Sequence, residues 1–121
     1  MQAEALLETG RAKEAMEAVR RAIEIDPASA LAYVLRGRID VELGTLDDAG
    51  GDFSKAIELD PKRVDAYAGR GEVLLATKEF AAALRDFDKA LVLDPNRTDV
   101  VTTREKAQQA LEAFKRGEPP K

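Results

Sequence analysis

Apolar residues recur along this chain at the three- and four-residue spacing of a helix surface. Segments 64–76 and 80–93 carry the clearest pattern, with apolar or small residues on one side of each predicted helix. Because each stripe covers only one side, an isolated helix pair would leave apolar surface in water, whereas stacked pairs would bury it. The pattern predicts an all-α chain of antiparallel helix pairs within a single domain.

The pattern also repeats at a fixed step. The pairs Asp26-Pro27, Asp60-Pro61 and Asp94-Pro95 lie 34 residues apart. Proline cannot continue a helix and restricts the residue before it to extended geometry, so each pair is expected to end one repeat. Other columns keep the same step: Ala15, Ala49 and Ala83; Val19, Phe53 and Phe87; Ala22, Ala56 and Ala90; Ile23, Ile57 and Leu91; Tyr33 and Tyr67; Gly37 and Gly71; Gly10 and Gly44, with Lys78 as third member. We expect glycine and alanine where paired helices approach closely.

A 34-residue period with these columns resembles the tetratricopeptide repeat, a helix–turn–helix unit that stacks into a solenoid. The residues that match the family's signature are Tyr33, Gly37, Ala49, Phe53, Ala56 and Pro61, and then Tyr67, Gly71, Ala83, Phe87, Ala90 and Pro95. The resemblance covers about residues 1–97 and implies a right-handed superhelical solenoid. The expected parts are a partial repeat at 1–29, repeats at 30–63 and 64–97, a capping helix at 98–116 and a flexible tail at 117–121.

The last predicted helix differs from the repeats. Segment 98–116 has one apolar side and polar residues elsewhere, as the capping helix of a solenoid requires, and no second helix follows. The apolar side is formed by Val100, Val101, Ala107, Leu111 and Phe114. Gly117 is expected to end the helix, and the Pro119-Pro120 tail to be disordered. At the other end the chain opens directly in helical pattern, which suggests either a domain cut from a longer protein or a deleted signal.

Gly50 and Gly51 break the pattern inside the second helix of the middle repeat. Each costs roughly 1 kcal/mol relative to alanine in a helix interior. Two interpretations stay open: a weakness that neighbouring packing tolerates, or a groove or flexible point on the convex side.

Composition argues against most kinds of chemistry. The chain has no cysteine and no histidine, which removes disulfides, Cys/His zinc sites, thiol nucleophiles and imidazole acid–base catalysis. The net charge of −4 gives no reason to expect nucleic-acid binding, and no apolar run approaches the length needed to insert into a membrane. A cysteine-free chain fits a reducing or an oxidising compartment, and the cytoplasm is only slightly favoured.

The remaining candidate motifs have simpler explanations. The stretch LDDAGGD at 46–52 lacks the ligand spacing of a calcium loop, and Asp47 and Asp48 more plainly suit the start of a helix. Ser54 and Lys55 are adjacent, so their side chains diverge on a helix surface. The sequence therefore predicts no enzymatic activity, no metal and no cofactor.

The resemblance implies that a ligand would lie in a concave groove lined by the first helices of successive repeats. Register places the following residues there: Leu31, Val34, Leu35, Arg38, Val41 and Glu42; Asp65, Ala68, Gly69, Glu72, Leu75 and Ala76; Asp99, Thr102, Thr103 and Lys106. Leu31, Val34 and Leu35 are expected to form an exposed apolar patch, which often marks an interface. The column Glu4, Arg38, Glu72 and Lys106 alternates in sign, either to pair across repeats or to contact a ligand.

The family's best-known peptide site is a clamp of lysine, asparagine and arginine side chains that holds the C-terminal carboxylate of chaperones. The matching positions here are Glu4, Leu35, Asp65 and Gly69, and a register shifted by one repeat gives Arg38, Gly69, Asp99 and Thr103. Neither set restores the clamp. The sequence therefore predicts a protein–protein interaction scaffold that binds a partner peptide or helix without a carboxylate clamp. The alternative is a homo-oligomer that self-associates through the groove or the exposed N-terminal repeat edge.

Overall fold

The computed structural model describes residues 11–118, which form six α-helices and no strand. The helices are α1 (Ala12–Ile25), α2 (Ala30–Leu43), α3 (Leu46–Leu59), α4 (Val64–Ala76), α5 (Phe80–Leu93) and α6 (Thr98–Lys115). Contacts divide the chain into two compact units, one ending at Lys62 and the other beginning at Arg63. The predicted start of the first repeat, with Gly10 and Glu4, and the Pro119-Pro120 tail lie outside the described residues.

In the first unit, α2 packs against both α1 and α3. Its core joins one side of α1 to the middle of α2 and is formed by Ala12, Ala15, Met16, Val19, Leu35 and Ile39. Small residues on α1 let the two helices approach, and the branched side chains fill the space between them.

The second unit consists of α4, α5 and α6, and α5 packs against both of its neighbours. A helix is present at the predicted position as α6, and it buries Val100 and Ala107. Two residues assigned to its apolar side are accessible instead: Val101 is exposed, and so is Phe114, whose ring meets Phe80 edge-on with centroids 6.3 Å apart. Gly117 follows the helix at a φ of 76°.

Glycine is required where the two helices of a repeat cross. An ideal Cβ at Gly37 would lie 2.9 Å from the Phe53 ring, and one at Gly71 would lie 2.6 Å from the Phe87 ring. Both phenylalanines are fully buried, so neither ring has room to move. The expectation that small residues permit the close approach of paired helices is confirmed at both crossings.

The helix ends follow from local sequence. The Ser29 hydroxyl accepts a hydrogen bond from the Ala32 N–H at 3.2 Å and begins α2. Asp60 and Asp94, each followed by proline, adopt extended backbone at φ −145° and −146° and end α3 and α5. Gly44 ends α2 in the left-handed region at a φ of 82°.

Helix α3 runs unbroken through Gly50 and Gly51. A Cβ at Gly51 would meet nothing within 4 Å, so the position faces open space. Asp47 and Asp48 lie in the first turn of α3, as predicted, where carboxylates favour the helix dipole.

The predicted apolar patch on α2 is largely wrong. Val34 is 2% exposed and Leu35 is 1% exposed, and only Leu31 of the three is accessible. Leu35 belongs to the core that α2 shares with α1. The reason is that α2 is covered on more than one side, so its buried residues do not form a single stripe.

Candidate functional site

Four of the six candidate residues on α2 remain accessible. Leu31 and Val41 are 41% and 43% exposed, and Arg38 and Glu42 are exposed as well. In chain order, Leu31, Arg38, Val41 and Glu42 are separated by seven, three and one residues, which places all four along one side of the helix. This side presents two apolar side chains and two of opposite charge, which suits contact with another protein more than chemistry on a small molecule.

On α4 the candidate residues are mostly half-buried. Asp65, Ala68, Gly69 and Leu75 are partly accessible, and Glu72 is exposed. Ala76, at the end of the helix, is exposed too, so this side of α4 offers mainly small side chains.

Asp65 is held as a carboxylate. Burial alone would raise its pKa, but Arg63, with a guanidinium nitrogen 2.7 Å from the carboxylate, outweighs burial through its hydrogen bonds and its charge. The net result is a pKa below the usual range. The same arrangement recurs 34 residues later, where Arg97 lies 2.8 Å from Asp99 and lowers the pKa of that carboxyl.

Two candidate threonines of α6 are turned toward their own helix. The Thr102 hydroxyl donates to the Thr98 carbonyl at 3.1 Å, and the Thr103 hydroxyl donates to the Asp99 carbonyl at 2.9 Å. Lys106 is exposed on the same helix. Of these residues Lys106 is the one best placed to meet a ligand by charge.

The structure brings three candidates, Leu75, Ala76 and Lys106, to one concavity of about 650 Å³ in the second unit. We call it the α4–α6 concavity; it is lined by Leu75, Ala76, Lys78, Phe80, Lys106, Gln109, Ala110, Ala113, Arg116 and Glu118. Most of its lining residues were missed from sequence. One signal was available, since Lys78 occupies the column that Gly10 and Gly44 share.

An ion pair between a half-buried arginine and a buried aspartate joins the two helices of each described repeat, and sequence reasoning missed both. The Arg36 guanidinium donates to both carboxylate oxygens of Asp52 at 2.8–3.1 Å, and Arg70 does the same to Asp86 at 2.8 and 2.9 Å. The 34-residue spacing of the arginines and of the aspartates was the available signal. Each guanidinium also lies over the tyrosine three residues earlier, 5.3 Å from one ring centroid and 6.0 Å from the other.

In the first unit, Asp40 places a second buried carboxyl next to that of Asp52. It is 5% exposed, and the Thr45 hydroxyl donates to it at 3.2 Å. Burial, together with the neighbouring Asp52, raises the pKa of the Asp40 carboxyl to about 7. The equivalent position in the second unit is Leu74, so that unit has no such carboxyl.

The described residues do not assemble a metal site. Within 11–118 there is no group of three or more histidine, cysteine, aspartate or glutamate side chains that could hold a metal ion. In the same range, no helix combines the length and apolar character that crossing a bilayer would need.

Comparisons with known structures agree with the repeat architecture. The TPR domain of Sgt2 from Aspergillus fumigatus is 20% identical, with a TM-score of 0.91 over 99% of this chain and 82% of that one. The first TPR of Spaghetti (RPAP3), bound to HSP90 peptide SRMEEVD, is 23% identical, with a TM-score of 0.88 over 92% and 88%. The second TPR domain of human RPAP3, in complex with HSP70 peptide SGPTIEEVD, is 27% identical, with a TM-score of 0.82 over 88% and 89%.

Sequence comparisons identify the repeat directly. No curated protein sequence matches the chain significantly. A family model described as tetratricopeptide repeat matches residues 34–98, more than half of the 121 residues, and a second with the same description matches residues 1–29. The fold is an all-α helical-repeat solenoid, and the chain belongs to the tetratricopeptide repeat family.

Proposed function

We propose that the chain is a non-catalytic protein-interaction module that binds a peptide or helix of a partner protein through accessible faces of its first helices. Tetratricopeptide repeat domains generally act as non-catalytic interaction modules. The single observation that carries the proposal for this chain is the α4–α6 concavity, a surface of about 650 Å³ that mixes apolar and charged side chains. The peptide complex of the human RPAP3 domain supports it by analogy.

We further propose that this module does not clamp a C-terminal carboxylate. Asp65 takes a position where the clamp has lysine, and its lowered pKa keeps it negatively charged, which repels an anion. Gly69 takes an arginine position and has no side chain to donate. Leu35 takes an asparagine position and is buried in the core, so it offers neither polarity nor access.

Two kinds of experiment test these statements separately. Selection from a random peptide library displayed on phage, with the full chain as bait, tests the module itself; no enriched peptide from repeated rounds would contradict it. Fluorescence anisotropy with SRMEEVD and SGPTIEEVD, each as free acid and as C-terminal amide, tests the absence of a clamp. We expect the acid and the amide to differ less than about threefold in affinity, whereas a loss of tenfold or more on amidation would show a carboxylate clamp.

Self-association is the second candidate, because three large apolar side chains are exposed on α2: Leu31, Val41 and Leu43 at 41–43%. Exposed large apolar side chains are candidates for an interface, and Leu31 and Val41 lie along the same side of α2. Light scattering after size exclusion across a hundredfold concentration range tests it. A dimer that Leu31→Lys disperses would support self-association, and a monomer throughout would leave peptide binding as the function.

A further inference from the structure

We propose that the α4–α6 concavity binds an acidic peptide segment that carries at least one apolar side chain, and that Lys78 and Lys106 select for its charge. The proposal rests on the proposed function, because it names the chemistry of the peptide that the module would take. It does not require a free C-terminal carboxylate.

Five of the ten residues that line the concavity are apolar. Leu75 and Ala76 contribute from the end of α4, and Ala110 and Ala113 contribute from α6. Phe80 lies between them at the start of α5 and is itself buried, so its ring forms a fixed part of the wall. Small alanines opposite a leucine leave room for an apolar side chain from outside, whose burial would drive binding.

The rim is cationic in a chain whose net charge is −4. Lys78, Lys106 and Arg116 line the concavity, and the acidic lining residue is Glu118. Arg116 lies 3.0 Å from Glu118, so those two charges offset each other. Neither Lys78 nor Lys106 forms an ion pair with a carboxylate among residues 11–118. Two ammonium groups are therefore available to an acidic ligand.

Lys78 has an unusual backbone for its residue type. Its φ of 66° is positive, and no other residue except glycine has a positive φ in the part of the chain that the structure describes. Its N–H donates to the Leu75 carbonyl at 3.1 Å, just as the Gly44 N–H donates to the Val41 carbonyl 34 residues earlier. Glycine adopts this conformation without steric cost, whereas lysine does not. The third residue of the column that Gly10 and Gly44 share is thus a lysine, and its side chain lines the α4–α6 concavity.

The shape and charge of the concavity favour a peptide over a nucleic acid. Two lysines are fewer than a phosphate backbone usually requires. A phosphate would also make no favourable contact with the apolar residues that line the concavity. An acidic segment with an apolar residue uses both features at once.

The experiment begins with phage selection of random twelve-residue peptides on the full chain, repeated on the Lys78→Gly/Lys106→Gln double variant. We expect the peptides enriched on the parent chain to combine glutamate or aspartate with an apolar residue, and to lose their enrichment on the double variant. The most enriched peptide is then synthesised as its C-terminal amide with a fluorescein label for anisotropy measurements.

Three variants give the quantitative readout. Lys78→Gly and Lys106→Gln are each expected to weaken binding of the labelled peptide about two- to fivefold, with a larger loss at low salt than at high salt. Lys89→Gln is the matched control, since Lys89 is exposed on α5 outside the concavity and should leave affinity unchanged. Thermal unfolding of Lys78→Gly is expected to occur at the same temperature as the parent chain or higher, because glycine relieves the backbone at this turn.

The outcomes separate this inference from the function on which it rests. Enriched peptides that are not acidic, or that bind the lysine variants and the parent equally well, would overturn the inference while leaving the interaction module in place. A failure to enrich any peptide would overturn both. If Lys78→Gly instead lowered the unfolding temperature, the expectation that glycine relieves the backbone at this turn would be wrong, whereas the binding comparison alone decides the role of Lys78 in ligand selection.

Discussion

The crossing of α4 and α5 offers a sharp test of the packing described above. Gly71 lies against Phe87, and an added Cβ would come within 2.6 Å of one ring carbon and 2.8 Å of another. Real Cβ contacts are essentially never that short, so Gly71→Ala requires the two helices to separate or the buried ring to leave its position. Both changes loosen the core of the second unit.

The expected magnitude combines two opposing effects. Inserting a methyl group into a well-packed core costs about 1–3 kcal/mol. Replacing glycine by alanine inside a helix returns up to about 1 kcal/mol. We therefore expect Gly71→Ala to lower the free energy of unfolding by about 1–2 kcal/mol. Gly37→Ala, with its contact of 2.9 Å to Phe53, should cost less.

Gly51→Ala is the matched control, because its Cβ would meet nothing within 4 Å and the position lies inside α3. It keeps the helix-propensity gain without the clash and should raise the free energy of unfolding by about 0.5–1 kcal/mol. Urea denaturation followed by circular dichroism at 222 nm measures all three variants. The reasoning is refuted if Gly71→Ala and Gly51→Ala shift the midpoint in the same direction by similar amounts.

Three further predictions concern the Asp40 carboxyl, the core residue Leu35 and the Arg70–Asp86 ion pair. Because the pKa of Asp40 is raised to about 7, the folded state binds more protons than the unfolded state between pH 4 and 7, and stability should fall as pH rises through that window. Asp40→Leu, which copies the residue at position 74, should remove this fall and stabilise the protein at pH 8 by about 1–4 kcal/mol. Leu35→Glu should abolish cooperative folding of the first unit, by a loss of about 4 kcal/mol or more, because it places a carboxylate in the core. Arg70→Met should cost about 2 kcal/mol by leaving the Asp86 carboxylate unpaired, and Arg70→Met/Asp86→Leu should recover most of it.

Each of these has a clear contrary result. A parent chain equally stable at pH 5 and pH 8 would contradict the raised pKa of Asp40. If the Leu35→Glu variant kept its helicity and its melting temperature, Leu35 would have to lie at the surface and not in the core. A double variant no more stable than Arg70→Met alone would show that the ion pair is not the source of the loss.

The repeat architecture could be predicted from sequence because its signals are local and recur. Three signals each follow from sterics at one position: proline after each aspartate, glycine opposite phenylalanine, and the alanine columns. Because all three recur at the same 34-residue step, each supports the others. Asp60 and Asp94 in extended backbone and the tight Gly71–Phe87 contact are direct results of those rules.

The candidate site was harder to predict, because exposure depends on which helices are neighbours. A stripe pattern identifies the buried side of a helix that packs on one side only. Helix α2 packs against two others within its own unit, so Leu35 and Val34 are buried at positions that a one-sided pattern leaves exposed. Charged residues mislead in the same way, since Arg36 and Asp52 look like surface charges until the fold brings them together.

The two Arg–Asp pairs also limit the number of ways in which paired helices can be aligned. A slide of one helix along its partner by a turn, about 5.4 Å, would move Phe87 away from Gly71, the residue that leaves room for its ring. After such a slide Arg70 could no longer reach Asp86, and a carboxylate would be stranded in the interior. The pairs thus fix the alignment of the two helices in repeats 30–63 and 64–97, whereas the first repeat has Gln2 and Ala18 at the corresponding positions. A further copy of either of these two repeats, gained by duplication, would carry its own Arg–Asp pair, so the array could lengthen while each new helix pair kept the same alignment.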